Sequence, residues 1–567
     1  MQLTKPGSGR STNLQLVQKR SFKKIFSKTS HFPENVKKIL ILVGYIRGRA
    51  LKKSADNQYF IAKVLKDHKR DIVMAWLTAG FVYLVTAIFS VGYHNYTEYL
   101  YVIDVILDRF RTDPQSAEIL RDGGGSIQGL LPMVAWAALS FLNALGVTGP
   151  FEQMMLLRIF TGFLCLGVFY LLLKGFLGEI FEERLFQPMI YLTPLLWFSP
   201  YVCVRFSQDV FSGALFFLGM SLIVMRRTNH KKSGFSDVPA ILAGLALGLA
   251  FSVKYMAGVM ILGALLWLIF YGKLKLRTWL WLIAGLLLGC SAGVLGDRWL
   301  YGYWTWSLLQ SISLFMGKIN AADWWQWFTE IFFNGGFIVG LCVLFCMFYF
   351  WARNLKHWVS WVSLPLFLLS ILFPSSELHH LFPLVFVITF MMIHSTQDLI
   401  VGARKKMREQ ARRALYYSIT FVFLVANCAF LCLFAFKDAD PDTGTVYFIE
   451  KQYRSREVVL LYADQSNPFE YPGLQQRKKT FYIPEGLEMY HVSTPADAET
   501  FLKRKDKMIM LCVRKKTLDA GFCVDRKQWI RVYESLPDIY FSVTANFWEP
   551  EADKMEIWQP KSCRLLF

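Results

Sequence analysis

Long apolar runs recur along this chain, and they constrain its fold more than any other feature. A helix needs roughly 20 mostly apolar residues to cross the hydrocarbon core of a bilayer. Of the 567 residues, 54% are hydrophobic and 18% are charged, whereas a typical soluble domain has about 25% charged residues. This composition excludes a disordered chain, a disulfide scaffold and an ordinary soluble enzyme. The runs lie at 72–92, 129–147, 151–173, 187–204, 208–225, 238–254, 256–271, 279–296, 331–351, 358–373, 381–396 and 414–436.

Basic residues between these runs predict how the chain is oriented. The net charge is +20, and residues 1–70 carry 17 Lys and Arg against three acidic residues. Further short basic clusters lie between apolar runs, at 226–232, 273–277, 353–356 and 404–413. Positive charge in short loops marks the cytoplasmic side, and anionic lipid attracts it. The charge therefore predicts a cytoplasmic N-terminal segment and a lipid bilayer as partner, and it does not predict nucleic-acid binding.

If every run crosses the membrane and the loop at 226 is cytoplasmic, the later basic loops all fall on the cytoplasmic side, as expected. Between residues 92 and 226, however, a crossing by every run places the basic loop at 226 on the outer side. Either one run between residues 92 and 226 is re-entrant or interfacial, or the expected orientation of a loop is wrong. The short segment 129–147 is the best candidate for a re-entrant or interfacial run. The sequence thus predicts an all-α polytopic membrane protein of about eleven to thirteen transmembrane helices, with the C-terminus outside. Its membrane module spans 71–436, after the basic segment 1–70.

From residue 437 the composition becomes polar, with short apolar runs. Runs at 457–463, 489–492, 507–513 and 539–543 read as strands. A helix should begin at Pro495, with Thr494 as its N-cap. Strand and helix in alternation predict a small soluble α/β domain over 437–567, on the outer face.

Polar residues gather at the predicted outer ends of the spans. A charge inside the hydrocarbon costs roughly 3 kcal/mol, so each such residue needs an explanation. Glu98 and Asp104 follow the first span, and a carboxylate at the mouth of a cavity can act as a general base. Arg205 lies between two runs, and Lys254 has apolar residues on both sides. For Glu98 and Asp104, the alternative is a solvated loop with ordinary acidic residues. For Arg205 it is an interfacial salt bridge, and for Lys254 it is a side chain that snorkels to the membrane interface.

A fourth group combines charges with aromatic rings. Residues 297–305 read DRWLYGYWT, and 323–327 read DWWQW. An aromatic belt at the interface explains the rings but not the adjacent Asp297 and Arg298. With Glu377 and His379 after a later span, the outer side holds carboxylates, cations and aromatics together. That mixture suits a sugar and a phosphate, because cations stabilise a phosphoryl leaving group.

Five segments resemble motifs of the GPI and dolichol-pathway mannosyltransferases, which are multi-span glycosyltransferases of the GT-C fold. Residues 297–305 resemble the D-x-x-[FY]-[FY]-G-x-W-T stretch of that family. Four further segments agree in order: 205–208 (RFSQ), 251–255 (FSVKY), 324–328 (WWQWF) and 377–383 (ELHHLFP). The sequence departs from the family where Thr97 precedes Glu98 in place of Asp, and where His379 replaces an Arg. The resemblance covers roughly 71–396.

The resemblance implies a polyprenyl-phosphate sugar donor, often carrying mannose, and a glycan or glycolipid acceptor. It implies inversion by a single displacement, with no metal or cofactor. Glu98, then Asp104, is the candidate base, and Lys254, Arg205 and His379 are the candidate phosphate ligands. The candidate substrate-binding residues are Asp297, Arg298, Trp304, Trp327 and Glu377.

Three other functions compete with this interpretation. A transporter or lipid flippase also has many spans and buried charges, but it usually shows internal repeats and mid-membrane charges, which this sequence lacks. A scaffold for the outer domain would not need Lys254 or Asp297. A catalytically inactive relative of the family would account for the missing Asp. The bacterial inner membrane is the predicted location in preference to the endoplasmic reticulum.

Overall fold

The chain folds into a helical part followed by an α/β part, as the sequence predicts. The computed structural model describes residues 67–93, 99–109, 127–176, 179–180, 185–228, 237–272, 274–316, 338–372, 378–403, 409–436, 441–453, 457–463, 467–471, 478–484, 486–502, 507–535 and 554–561. The helices of the first part are α1 Lys69–Phe89, α2 Leu130–Ala144, α3 Pro150–Phe176, α4 Phe186–Leu195, α5 Ser199–Cys203, α6 Gln208–Thr228, α7 Val238–Val253, α8 Ala257–Trp267, α9 Leu276–Tyr301, α10 Ser307–Met316, α11 Ile338–Arg353, α12 Trp358–Leu372, α13 Val385–Ala403 and α14 Glu409–Phe436.

Six helical segments among the described residues are long and apolar enough to cross a membrane: Lys69–Phe89, Pro150–Phe176, Gln208–Met225, Leu276–Tyr301, Leu381–Gly402 and Tyr417–Phe436. Five shorter apolar helices accompany them. Helices suit this environment because their backbone hydrogen bonds are made within the segment, where lipid offers none. The protein is an integral membrane protein, and the predicted fold class is confirmed.

Helices α4 and α5 together form one broken crossing that runs parallel to α1. Gln187, at the start of α4, donates to Asp71 near the start of α1 at 3.3 Å. Arg205, just after α5, donates to the carbonyl of Ser90, just after α1, at 2.8 Å. Pro194, one residue before the end of α4, lacks the amide hydrogen that a helix interior needs. Pro200 lies in the first turn of α5, where that hydrogen is not needed.

The contacts between helix ends define two opposite ends of the helical part. We call the end that carries Ser90, Arg205, Lys254 and Asp297 the polar end. The opposite end carries the basic loops before α9 and between α11 and α12, and we call it the basic end.

Helix α2 does not cross between the ends, which agrees with the interfacial or re-entrant segment predicted over 129–147. Gly129, at its start, donates its amide to Asp297 at the polar end, at 2.8 Å. Arg158, early in α3, donates to the carbonyl of Ala87, two residues before α1 ends, at 2.8 Å. Helix α3 therefore starts at the polar end as well, so α2 leaves from and returns to the same end.

Glycines let α7 and α9 pack with their backbones in close approach. A Cβ atom on Gly248 would lie 2.2 Å from the carbonyl oxygen of Leu286. Small residues at helix contacts allow this distance, and dispersion contacts then stabilise the pair. Ser252 donates across the same contact to the carbonyl of Gly289 at 3.1 Å. This parallel packing brings the end of α7, which Lys254 follows, level with Asp297 of α9.

The α/β part has a five-stranded mixed sheet. Its elements are α15 Pro441–Tyr453, β1 Val458–Tyr462, β2 Glu488–His491, α16 Pro495–Phe501, β3 Met508–Arg514, α17 Lys515–Asp519, β4 Trp529–Glu534 and β5 Met555–Pro560. The strand order is β2-β1-β3-β5-β4, with β1 parallel to both β2 and β3. Three predicted strands and the Thr494-capped helix are present, and the predicted strand 539–543 lies outside the described residues.

The two faces of the sheet are both buried, but against different partners. Side chains of a strand alternate between faces, and β1 follows this rule. Val459 and Leu461 pack in a core with α16. Val458 and Leu460 belong to a core shared with α2, α3 and residues 99–107. The sheet therefore packs directly on the polar end of the helical part.

Candidate active site at the polar end

Lys254 forms an ion pair with Asp209, which joins two of the segments that the sequence singles out. The Lys254 Nζ lies 2.5 Å from Asp209 Oδ2, and the two side chains are 12% and 2% exposed. Asp209 opens α6 and Lys254 follows the last residue of α7. A buried charge of this kind is tolerated when it has a close counter-ion. Lys254 thus has a buried anionic partner in Asp209.

Arg205 is buried and uses its guanidinium to hold the chain that leaves α1. Nη1 donates to the carbonyls of Ser90 at 2.8 Å and Gly92 at 3.1 Å, and Nη2 donates to the Ser90 hydroxyl. The guanidinium also lies 4.4 Å from the ring centroid of Tyr201. Hydrogen bonds from a charged donor are roughly twice as strong as neutral ones. Arg205 therefore fixes the segment that continues directly into residues 94–98.

Asp297 connects three separate segments through one buried carboxylate. Oδ1 accepts from the amide of Gly129 at 2.8 Å. Oδ2 accepts from the amide of Ser307 at 3.0 Å and from its hydroxyl at 2.7 Å. That hydroxyl is in turn 2.6 Å from the Tyr255 hydroxyl, one residue after Lys254. Asp297 thereby orders the starts of α2 and α10 beside the Lys254 ion pair.

Arg298 and Trp304 contact each other at the surface next to this network. The Arg298 guanidinium lies 4.4 Å from the centroid of the Trp304 ring, which is a cation–π contact. Gly302 lies between them with φ +80°, a left-handed conformation that glycine adopts without steric cost. Trp304 itself is 64% exposed. Its ring is thus held in place while remaining available to a ligand.

Asp104 contacts the α/β part instead of open solvent. Its carboxylate accepts from the Tyr471 hydroxyl and from the amide of Phe481, the latter at 3.4 Å. It lies in a short 3-10 helix, Asp104–Arg109, and is 1% exposed. Burial, together with the neighbouring Asp104 carboxylate, raises the pKa of Tyr471 well above its usual range. The Tyr471 hydroxyl therefore stays protonated and donates a hydrogen bond to the Asp104 carboxylate.

Aromatic rings close the junction around Asp104. Tyr93 and Tyr99 stack with centroids 5.4 Å apart, and Tyr99 stacks on Tyr482 at the same distance. Tyr482 also stacks on Phe151 of α3 at 4.4 Å. Lys479 is fully buried, with its Nζ 5.4 Å from the Tyr93 ring centroid. The α/β part thus contributes a buried cation and several rings to the polar end.

The structure brings together some of the predicted site residues and does not describe others. Lys254, Arg205, Asp297 and, farther out, Arg298 with Trp304 share the polar end. Glu98, Trp327 and Glu377 lie outside the described residues. His379 lies in a 3-10 helix, Leu378–Leu384, with only its backbone described.

Sequence reasoning did not select Asp209, Tyr471 or Lys479 as site residues. Asp209 lies four residues after Arg205, so its position beside a candidate was a usable signal. Tyr471 and Lys479 lie in a polar segment far along the chain, and nothing in their local pattern indicates a buried contact. Among the described residues, no three His, Cys, Asp or Glu side chains are grouped closely enough to hold a metal ion.

Comparison with known proteins gave structural similarity alone. The chain resembles a crystal structure of ArnT from Cupriavidus metallidurans bound to undecaprenyl phosphate, with a TM-score of 0.46 and 10% identity, covering 86% of this chain and 97% of that chain. The apo state of the same protein gives a TM-score of 0.44 and 12% identity over the same shares. No family model and no curated protein sequence matches the chain. The resemblance to mannosyltransferases stays a prediction, and the chemistry of the polar end is derived from this chain's own residues.

Proposed function

We propose that the protein is a membrane glycosyltransferase of the GT-C fold, which moves a sugar from a polyprenyl-phosphate donor to a glycan or lipid-linked acceptor. The observation that carries the proposal is the meeting, at one end of an apolar bundle, of segments that lie far apart in sequence. Lys254, Arg205 and Asp297 occur there within a connected set of contacts, beside an exposed tryptophan. Cations near a lipid surface suit a phosphate, and an aromatic ring suits the face of a sugar.

The reaction we propose is a single displacement. The acceptor hydroxyl oxygen forms a bond to the anomeric carbon while the bond from that carbon to the phosphate oxygen breaks. The proton of the hydroxyl passes to the Glu98 carboxylate, and the bonding pair leaves with the lipid phosphate. Because attack and departure occur on opposite faces, the anomeric configuration inverts. Lys254 stabilises the negative charge on the leaving phosphate, in place of part of its contact with Asp209.

Arg205 and Asp104 then act as positioning residues for the segment that carries Glu98. Arg205 holds Ser90 and Gly92, which precede that segment, and Asp104 is held by Tyr471 beyond it. The stack of Tyr93 on Tyr99 joins the two flanks. A base needs placement within about 2.6–3.2 Å of the proton it takes. The α/β part supports this function by anchoring the flank at Asp104.

Mannose is the sugar we propose, on the resemblance of residues 297–305 to the mannosyltransferase motif, and the bacterial inner membrane is the proposed location. The test is transfer of radiolabel from undecaprenyl-phosphate mannose to membrane glycans or glycolipids by the purified full chain in liposomes. Undecaprenyl-phosphate glucose serves as the comparison donor. Transfer from neither donor refutes the proposal, whereas transfer from glucose alone refutes only the mannose assignment.

The Glu98→Gln variant tests the base. General-base catalysis is worth about 10²–10⁴-fold in rate, so transfer should fall by that factor while binding of undecaprenyl phosphate remains. Lys254→Met should weaken that binding, and Lys275→Met, an exposed lysine at the basic end, is the matched control. Normal transfer by Glu98→Gln would exclude Glu98 as the base.

The Tyr471→Phe variant separates positioning from direct catalysis. It removes the hydroxyl that Asp104 accepts from and leaves the ring. We expect transfer to fall by about tenfold, the value of one hydrogen bond to a charged group, with the pH profile of transfer unchanged. A shift of that profile would indicate that Asp104 itself titrates during turnover.

A further inference from the structure

A polar cavity lies at the basic end, at the opposite end of the helical part from the candidate active site. Its volume is about 350 Å³, within the range of small-ligand sites, and it is lined by Glu179, Trp267, Phe270, Tyr271, Lys356, His357 and Trp358. Three of these residues come from the end of α8 and the turn that follows it, three from the loop between α11 and α12 or its edge, and Glu179 from just after α3. The proposed glycosyl transfer uses none of them.

Two hydrogen bonds fix the position of His357 in this cavity. Its Nδ1 accepts from the amide of Val359 at 3.2 Å, so that nitrogen carries no hydrogen. Its Nε2 then carries the hydrogen and donates to Glu179 Oε2 at 2.8 Å. Both ring nitrogens are thus engaged within the protein, and the Glu179 side chain, which is 34% exposed, brings a carboxylate to the cavity.

Lys356 supplies the opposite charge on the same cavity. Its side chain is exposed and, among the described residues, has no ion-pair or hydrogen-bond partner. Its backbone is fixed, because the Trp267 indole donates to the Lys356 carbonyl at 3.1 Å. The cavity thus presents one carboxylate and one ammonium, and the complementary ligand has one cationic and one anionic group.

The aromatic residues of the cavity extend from the protein interior to its exposed surface. Trp267 and Trp358 are almost fully buried, whereas Phe270 is 62% exposed. Phe270 lies in a π-helical turn, Leu268–Gly272, that extends the end of α8, and such turns are frequent at functional sites. Tryptophan and tyrosine are typical of the membrane interface. An amphipathic molecule could therefore enter from the bilayer with its head in the cavity.

We propose that this cavity binds a phosphate ester carrying a primary ammonium group, the chemistry of an aminophospholipid headgroup. The ammonium donates to Glu179, the phosphate pairs with Lys356, and the first carbons of the acyl chains lie along Phe270. A lipid headgroup with a phosphate and no ammonium offers no partner to the Glu179 carboxylate, and the two negative charges repel each other. A quaternary ammonium has no N–H to donate, so it loses the hydrogen bond to the carboxylate.

The test measures binding to the full chain in detergent by native mass spectrometry. The probes are phosphatidylethanolamine, phosphatidylcholine, phosphatidylglycerol and soluble phosphoethanolamine. We expect phosphatidylethanolamine to bind about tenfold more tightly than the other two lipids, which is the value of one hydrogen bond to a charged group. Binding of soluble phosphoethanolamine with equal affinity would assign the site to a free metabolite in place of a lipid. The proposal is overturned if the three lipids bind with equal affinity and soluble phosphoethanolamine does not bind.

Two variants locate the binding. Glu179→Gln keeps an acceptor for His357 but removes the charge, and it should abolish the preference for phosphatidylethanolamine over phosphatidylcholine. Lys356→Met changes an exposed position and should not affect folding. It should weaken the binding of both phosphatidylethanolamine and phosphatidylcholine, whereas Lys275→Met should change the binding of neither. A preference that survives Glu179→Gln and Lys356→Met would place the binding elsewhere and refute the site.

Discussion

The ion pair between Lys254 and Asp209 permits a quantitative test of how the polar end is held together. Lys254→Met removes the ammonium and leaves the Asp209 carboxylate, which is 2% exposed. Removing one partner of a buried pair costs about 3–5 kcal/mol, because the remaining charge loses its counter-ion without regaining water. We expect the free energy of unfolding of Lys254→Met to fall by that amount.

The reciprocal variant, Asp209→Asn, should cost less. The Lys254 side chain is 12% exposed, and its flexible stem lets the ammonium move towards water. We expect a loss of about 1–2 kcal/mol, since part of the desolvation is relieved in this way. In the double variant both charges are gone, so its loss should be smaller than the sum of the single losses by about 2 kcal/mol.

The assay is unfolding by titration of sodium dodecyl sulfate into the protein in mild detergent, followed by tryptophan fluorescence. The four proteins of the cycle are compared at one detergent concentration, with Lys275→Met as the control for a lysine outside the pair. Losses that add to within about 0.5 kcal/mol would refute the reasoning, because the two charges would then contribute to stability independently. Equal losses in the two single variants would refute the asymmetry between them.

Three further perturbations test the fold. Gly248→Leu should lower the free energy of unfolding by about 3 kcal/mol or more, because the new side chain meets the backbone of α9. Gly167→Ala, with open space around its Cβ position, should fold normally, and equal stability of the two variants would contradict the packing. Protease added to the outer face should cut within 437–567 and spare 1–70, and cleavage in the reverse pattern would refute the predicted orientation. Hydrogen bonds to Glu488 and Glu457 raise the pKa of Lys507. Its contribution to the stability of the α/β part should therefore be complete below the ordinary lysine pKa of about 10.4 and be lost as pH rises through the raised pKa of the folded state. Urea unfolding of wild type and Lys507→Met should show a larger difference at pH 8 than at pH 11, and the reverse order would contradict this sign.

The membrane architecture could be predicted from the sequence because it follows from local composition. Runs of about 20 apolar residues must become helices in lipid, and charge between them orients the chain. The interfacial nature of 129–147 was also predicted, from the failure of alternation between residues 92 and 226 and from Gly149 and Pro150 at the end of this run. The strands of the α/β part were visible for the same reason, as short apolar runs between polar residues.

The contacts within the polar end could not be predicted in this way, since each depends on which helix ends become neighbours. Lys254 was recognisable as a charge in need of an anion, but only the pairing of α6 with α7 identifies that anion as Asp209. Asp104 looked like a candidate base from its place after the first span. Its burial against Tyr471, 367 residues away along the chain, depends on how the sheet packs on the helices.

The sequence by itself therefore determined the class of fold, the end at which polar residues gather and the kind of chemistry that they suit. Tertiary structure decided which of these residues face one another, and it placed Arg205 against the chain that leaves α1 and Asp297 against the starts of α2 and α10. The physical reason lies in the range of the interactions. Transfer of apolar residues into lipid is a sum over each segment and is local, whereas ion pairs and hydrogen bonds act over a few ångströms between segments that only packing brings together.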